Sequence, residues 1–327
     1  MRKKERTDER TGGMESNPSS SGKAAYLLLA SLALVWGSSF ILMRISLSAY
    51  TPAQIGCLRM FFAAAVMSPF LFRGFSTVQP WQWKYLLLTG LFGNAIPSIL
   101  FPLAQRGISS ALAGMINTLT PIFTLLIGLA FFKTSIARSS YLGLLVGLVG
   151  AILLIGGGTG TVHASSPGYA LYVVAATVCY AISVNVLRNK LAGLHPLTIT
   201  SFALLFIGVP MGAYLFTTDF IDRTVNGLSA GSIDQWPILF LGDGISATGA
   251  SLVAVFTLGV LGTALSTVLF NRLIQLSGAL TASSVTYLIP VVATFWGVVS
   301  GERIGWMHLL GLAFVLSGIY LINQRRG

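Results

Sequence analysis

"NTLTPIFTLLIG", residues 117–128, and "TYLIPVVATFWG", residues 286–297, each place a proline inside a long apolar run. In a helix interior, a residue such as Pro121 or Pro290 removes a backbone N–H and crowds the preceding turn, at a cost of about 3 kcal/mol. The two prolines are 169 residues apart (290 − 121), and that offset aligns more than the prolines. It sets "ALAGMINTLTPIFTLLIG" against "LTASSVTYLIPVVATFWG", and "FGNAIPSILF" (92–101) against "LGTALSTVLF" (261–270). With one residue deleted, "GLLVGLVGAILLI" (143–155) falls on "GLAFVLSGIYLI" (311–322). Toward the front the offset is 144: Trp36 meets Tyr180, Arg44 meets Arg188 and Pro52 meets Pro196. The 25-residue difference (169 − 144) is absorbed by a loop at 217–249 that has no counterpart in the first half. The chain is a tandem repeat.

Composition says where that repeat lives. Of 327 residues, 54% are hydrophobic and 9% charged, against about 25% charged in soluble domains. A spanning helix needs about 20 mostly apolar residues. Ten such runs can be marked, at 24–43, 53–72, 85–105, 111–132, 141–155, 169–187, 197–217, 252–271, 280–300 and 307–323. The expected fold is an all-α integral membrane protein of ten transmembrane helices, arranged as two five-helix repeats (24–157 and 168–323) joined by an external linker (158–167). Five is odd, so the second repeat enters the membrane from the opposite side. Inverted repeats of this kind mark secondary transporters, which place substrate near the midplane at interrupted helices. The matched Pro121 and Pro290 are therefore read as helix breaks or gating points.

The net charge of +11 is a topology signal and not a sign of nucleic-acid binding. With the N-terminus inside, fifteen Lys and Arg fall on the inner side and four on the outer, with Arg59 within a span. That positive-inside bias places both termini in the cytoplasm, and the expected location is the plasma membrane. Residues 1–23 are charged, then Ser/Gly-rich, and read as a disordered cytosolic tail. The first apolar run starts late and is too long for the core of a cleaved signal peptide. Cys57 and Cys179 both lie in predicted spans, as free packing residues.

"LVWGSSFILMRISL" followed by "TPAQIGCLRMFFAAAV" resembles the first two helices of the EamA-type drug/metabolite transporter family. "GVLGTALSTVLFNRLIQLSGALTASSVTYLIPVVATFWGVVSGERI" resembles that family's eighth and ninth, including the Gly301–Glu302 pair. The resemblance spans about residues 24–323. It implies ten helices around a central cavity and the movement of small metabolites, often outward. Where the second half has Glu302, the first has Lys133, so a role for that acid applies to one half alone.

Helical spacing (i, i+3, i+4, i+7 share a face) nominates the cavity wall. The first run offers Trp36 and Ser39 with Phe40 and Met43; the third offers Asn94 and Ser98 with Phe101. The fourth offers Asn117 and Thr120, the sixth Tyr180 and Ser183, the eighth Thr263 and Thr267, and the ninth Ser283, Thr286 and Tyr287. Amide groups facing lipid would be stranded, so these stripes point inward. Arg59 lies near a helix end, where it reads as an interfacial anchor or a substrate-carboxylate ligand. Gly143, Gly147 and Gly150, like Gly311 and Gly318, are spaced for close helix contact, so the fifth and tenth runs read as packing elements.

A membrane-embedded enzyme is disfavoured: its nucleophile, base or metal ligands would have to lie in the spans. His163, His195 and His308 sit in loops or at a helix end, and the nine acids lie in the tail, the loop or at boundaries. No cofactor and no metal is expected. The partners are a small-molecule substrate and membrane lipid, with no nucleic acid, and the protein is a monomer or homodimer. The sequence points to an exporter of small metabolites such as amino acids, or alternatively to an importer or exchanger of a phosphorylated sugar or nucleotide sugar. Glu302, beside Arg303, reads as a helix-end charge pair.

Overall fold

The computed structural model describes residues 18–132, 138–156, 167–229, 246–283 and 285–323, and among these it is helical throughout, with no strand. Backbone polar groups have no water to bind in lipid, so a chain this apolar satisfies them within helices.

The first half begins with α1 (Pro18–Ser46) and α2 (Pro52–Met67), and a short α3 (Leu71–Gly74) follows. The helix α4 (Trp83–Gly90) runs through a π-turn at Leu91–Ala95 into α5 (Ile96–Ala104). Next, α6 (Ser110–Ile116) passes through a 3₁₀ turn at Asn117–Leu119 into α7 (Thr120–Phe132), and α8 (Arg138–Gly156) follows. The second half comprises α9 (Pro167–Lys190), α10 (Pro196–Leu215), α11 (Phe220–Ser229) and α12 (Ala247–Gly259). A π-turn at Val260–Leu265 leads into α13 (Ser266–Ser283), then α14 (Val285–Val299) and α15 (Trp306–Asn323). Counting through the turns, among the described residues seven helices are long and apolar enough to cross a membrane, and three shorter apolar ones lie at Tyr141–Gly156, Val285–Val299 and Trp306–Ile322.

Local chemistry fixes several starts. Thr51 caps α2 in a capping box with Gln54, and Pro52 occupies the first turn, where its missing N–H costs nothing. At the matched position Pro196 opens α10, with His195 as its cap.

Four expectations change. The matched prolines do not break their helices alike: Pro290 lies inside a continuous α14, while Pro121 follows the 3₁₀ turn as the second residue of α7. The Asn117 carbonyl, which has no N–H to accept from Pro121, instead accepts the Thr120 backbone N–H in the 3₁₀ turn and the Thr120 hydroxyl at 2.8 Å. The interruption that does repeat is the π-turn, since Leu91 plus 169 is Val260. The eighth and ninth runs also divide later than their polarity suggests, because helix continues through 272–279. The polar side chains there have partners: Asn271 Nδ2 donates to Thr200 Oγ1 (3.1 Å) and Gln275 Nε2 to the Leu194 carbonyl (3.0 Å). Residues 18–23, read as tail, belong to α1, and part of the long loop forms α11. Residues 1–17, Lys133, the linker at 158–166, residues 230–245 and the Ser283 side chain lie outside the described residues.

The glycine-spaced pair packs as the spacing predicts: α8 lies along α15. A Cβ on Gly318 would stand 2.5 Å from the Gly143 carbonyl oxygen and 2.5 Å from the Gly147 nitrogen. Backbone meets backbone there, and nothing can yield. Gly318→Leu is therefore expected to cost about 1–3 kcal/mol through overpacking, visible as a lowered melting temperature in detergent. An unchanged melting temperature would contradict that packing.

Candidate functional site

The helices surround a central cavity of about 170 Å³, room for on the order of ten waters and so for a small metabolite. Twenty of the 26 residues on its wall fall into ten pairs related by the two repeat offsets. At 144 the pairs are 36/180, 39/183, 40/184, 43/187 and 59/203; at 169 they are 93/262, 94/263, 101/270, 117/286 and 120/289. Both copies contribute the same positions to one wall.

Ten of the twelve residues nominated from the sequence lie on that wall. Trp36, Ser39, Asn94, Asn117 and Thr120 come from the first half, and Tyr180, Ser183, Thr263, Thr267 and Thr286 from the second. Ser98 does not: its hydroxyl folds back on the Ala95 carbonyl at 2.7 Å, beneath Gly56 of α2. Gly56 lets α2 close over Ser98, whereas the matched residues of the second half, Thr200 (for Gly56) and Thr267 (for Ser98), both line the wall. Tyr287 packs into the apolar core instead, one helical step around from Thr286. Pro121 and Pro290 stand off the wall, each one residue beyond a lining residue, Thr120 and Ile289.

Aromatic rings make the apolar part of the wall. Trp36 and Phe270 are 5.0 Å apart between centroids, Phe40 and Phe101 5.6 Å, and Phe101 and Tyr180 5.8 Å. Trp36 is held in place by its indole N–H, which reaches Ser266 Oγ at 2.9 Å and the Gly262 carbonyl at 3.2 Å. That carbonyl lies in the second π-turn, where it also accepts the Ser266 hydroxyl (2.7 Å) and where Thr263 Oγ1 bonds five residues back to the Leu258 carbonyl (2.9 Å).

Among the described residues the one charge on the wall is Arg59, which is 8% exposed. It is not an interfacial anchor, because it turns inward from α2 to the helix of the second copy. Its Nε donates to Thr263 Oγ1 at 2.6 Å and its Nη2 to the Gly262 carbonyl at 3.4 Å, both neutral acceptors. The ion pairs among the described residues are Arg44–Glu302 and Arg223–Asp219, so no carboxylate compensates Arg59. A buried charge left without a counter-ion is costly and marks a functional position in a membrane protein.

Glu302 differs from expectation as well. It pairs with Arg44 of α1 at 3.0 Å, where the sequence suggested its neighbour Arg303. Its oxygens also accept the backbone N–H groups of Ser110 (2.8 Å) and Ala111 (3.0 Å) at the start of α6. One second-half carboxylate thus ties down two first-half helices. Among the described residues no three His, Cys, Asp or Glu come together as a metal site.

Membrane-length helices around a mostly apolar, aromatic-walled cavity dotted with small polar groups and built alike by both halves have the form of a multi-pass membrane transporter. The chain belongs to the EamA-like transporter family, whose profile matches twice, at residues 23–156 and 168–324. Similar proteins include an uncharacterized transporter of Archaeoglobus fulgidus, 25% identical over 92% of this chain and 99% of its own length. The uncharacterized inner membrane transporter YedA of Escherichia coli K12 is 22% identical over 90% of this chain and 89% of its own length. A Streptantibioticus cattleyicolor protein described as a "probable terminal-alkyne amino-acid exporter" is 21% identical over 93% of this chain and 94% of its own. Solved structures share the fold, among them a crystal structure with a TM-score of 0.58 at 20% identity, covering 93% of this chain and 99% of that one.

The repeat alignment carried a signal for what the stripes missed. Gly93 and Gly262 are matched glycines facing matched serines: a Cβ on Gly262 would lie 3.1 Å from Ser39 Oγ, and one on Gly93 would overlap Ser183 Oγ. Paired glycines beside paired serines in "FGNA" and "LGTA" mark where the two copies cross closely.

Proposed function

We propose that this chain is a secondary transporter that exports small carboxylate-bearing metabolites, such as amino acids, across the plasma membrane by alternating access. In this reading ten helices form two inverted five-helix repeats, at 24–157 and 168–323. The termini are cytoplasmic, the linker at 158–167 is external, and the unit is a monomer or homodimer. Arg59 is the observation that carries the substrate class. An unpaired guanidinium on the wall of an otherwise neutral cavity supplies the fork that binds a carboxylate in bidentate fashion. Trp36, Phe270 and Tyr180 offer surface for an apolar body. The exporter-named relative supports the outward direction and the amino-acid class. A phosphorylated sugar or nucleotide sugar would call for more cations than this single one.

The test is resistance. Cells overproducing the chain are expected to tolerate toxic amino-acid analogues that kill the parent strain, and cells producing Arg59→Gln are not. Sensitivity to every analogue, together with tight binding of a nucleotide sugar by the purified protein, would overturn the reading.

A further inference from the structure

We propose that Asn94 is a specificity-determining residue. It reads a hydrogen-bond donor on the substrate, set against the carboxylate that Arg59 holds. The inference rests on the carboxylate reading above and adds the second pole.

It follows from one break in the repeat symmetry. Each π-turn forms a bay in the wall with the same plan. At one, Gly262 and Thr263 lie under Ser39 and Trp36; at the other, Gly93 and Asn94 lie with Ser183 and the matched Tyr180. Helix α2 covers the first bay with Arg59. The residue matched to Arg59 at the offset of 144 is Ala203, which also lines the cavity but brings neither charge nor hydrogen bond from its side chain. The positive charge therefore sits at one bay only.

The other bay holds a different chemistry. Thr263, the counterpart of Asn94, is occupied twice, accepting from Arg59 and donating to Leu258. The Asn94 side chain faces the cavity and has no hydrogen-bond partner among the described residues. Asn117, 8% exposed, also lines the wall, and its Oδ1 is buried without a partner. An unsatisfied buried carbonyl is expensive to keep, and a donor from a ligand satisfies it. The cavity wall thus carries a cationic donor, Arg59, and two side-chain amides that can accept, Asn94 and Asn117. A carboxylate that also carries an ammonium group complements both, and a simple carboxylate complements only one.

The experiment measures Kd on the purified full-length protein for two matched pairs: L-leucine with 4-methylpentanoate, and 4-aminobutanoate with butanoate. In at least one pair the amino compound is expected to bind at least tenfold tighter. Asn94→Leu should erase that preference, weakening the amino compound at least tenfold more than its deamino partner. Asn94→Asp, read in parallel with thermal unfolding as a check on folding, should widen the preference, because a carboxylate attracts the ammonium and repels the simple acid. Equal affinity within both pairs, or a loss in Asn94→Leu that is the same for both members, overturns the assignment while leaving the carboxylate reading intact. If neither member of either pair binds, or binding is indifferent to Arg59→Gln, the carboxylate reading fails with it.

Discussion

Arg59→Gln is expected to abolish carboxylate transport in proteoliposomes while leaving the protein at least as stable as the parent. The two effects separate because the guanidinium is a burden to the fold and an asset to the site. Its partners within the protein are the Thr263 hydroxyl and the Gly262 carbonyl, which do not repay removing a full charge from water. Glutamine keeps a donor for Thr263 and discards the charge, so the melting temperature should hold or rise. The substrate carboxylate loses its counter-ion. Truncating one partner of a buried charged pair costs about 2–5 kcal/mol, so binding should weaken about 30-fold or more. Arg59→Lys keeps the charge without the planar fork and should fall between the two. Wild-type affinity in Arg59→Gln, or a large drop in its melting temperature, would show that Arg59 serves the fold and not the substrate.

The repeat was legible from the sequence because identity at a fixed offset does not depend on side-chain direction, and the cavity wall follows it pair by pair. What eluded the sequence was azimuth, the direction a residue faces around its helix. Arg59 looked like an interfacial anchor because its distance from the helix end suited snorkelling, and only packing shows that it turns toward Thr263. Tyr287 and Thr286 are adjacent, and a stripe drawn by spacing cannot say which of the two the neighbouring helices leave open. Local backbone was ambiguous for a related reason. Proline advertises a helix break, yet Pro290 is absorbed into α14, while the π-turns form where Gly93 and Gly262 let a neighbouring helix come close. Polarity misled at Gln275 and Asn271, whose partners on other segments were invisible from the sequence.

Transport is expected to be indifferent to an imposed pH gradient, and Glu302 decides the point. A proton-coupled carrier commonly keeps a carboxylate in the membrane that gains and loses its proton as the protein cycles. Among the described residues within the ten apolar helices there is no Asp or Glu, and Glu302 sits at the turn between α14 and α15. Both its oxygens are occupied, by Arg44 and by the Ser110 and Ala111 N–H groups, so the carboxylate is tied into the fold at the junction of α1 and α6. Its side chain is 5% exposed, so removing it should be felt mainly as stability. Glu302→Ala leaves the partly exposed Arg44 and two buried N–H groups at the start of α6 without their acceptor, a loss of about 1–3 kcal/mol for each N–H left unsatisfied. That should appear as a sharply lower melting temperature. Glu302→Gln retains one acceptor oxygen and should lose less, about 1–3 kcal/mol. Where folded, Glu302→Gln should still transport, driven by the substrate's own gradient. The measurement is uptake into proteoliposomes with and without a pH gradient, at equal substrate inside and out. Uphill accumulation driven by that gradient in the parent protein, and lost in Glu302→Gln, would make Glu302 a proton carrier and reverse the conclusion.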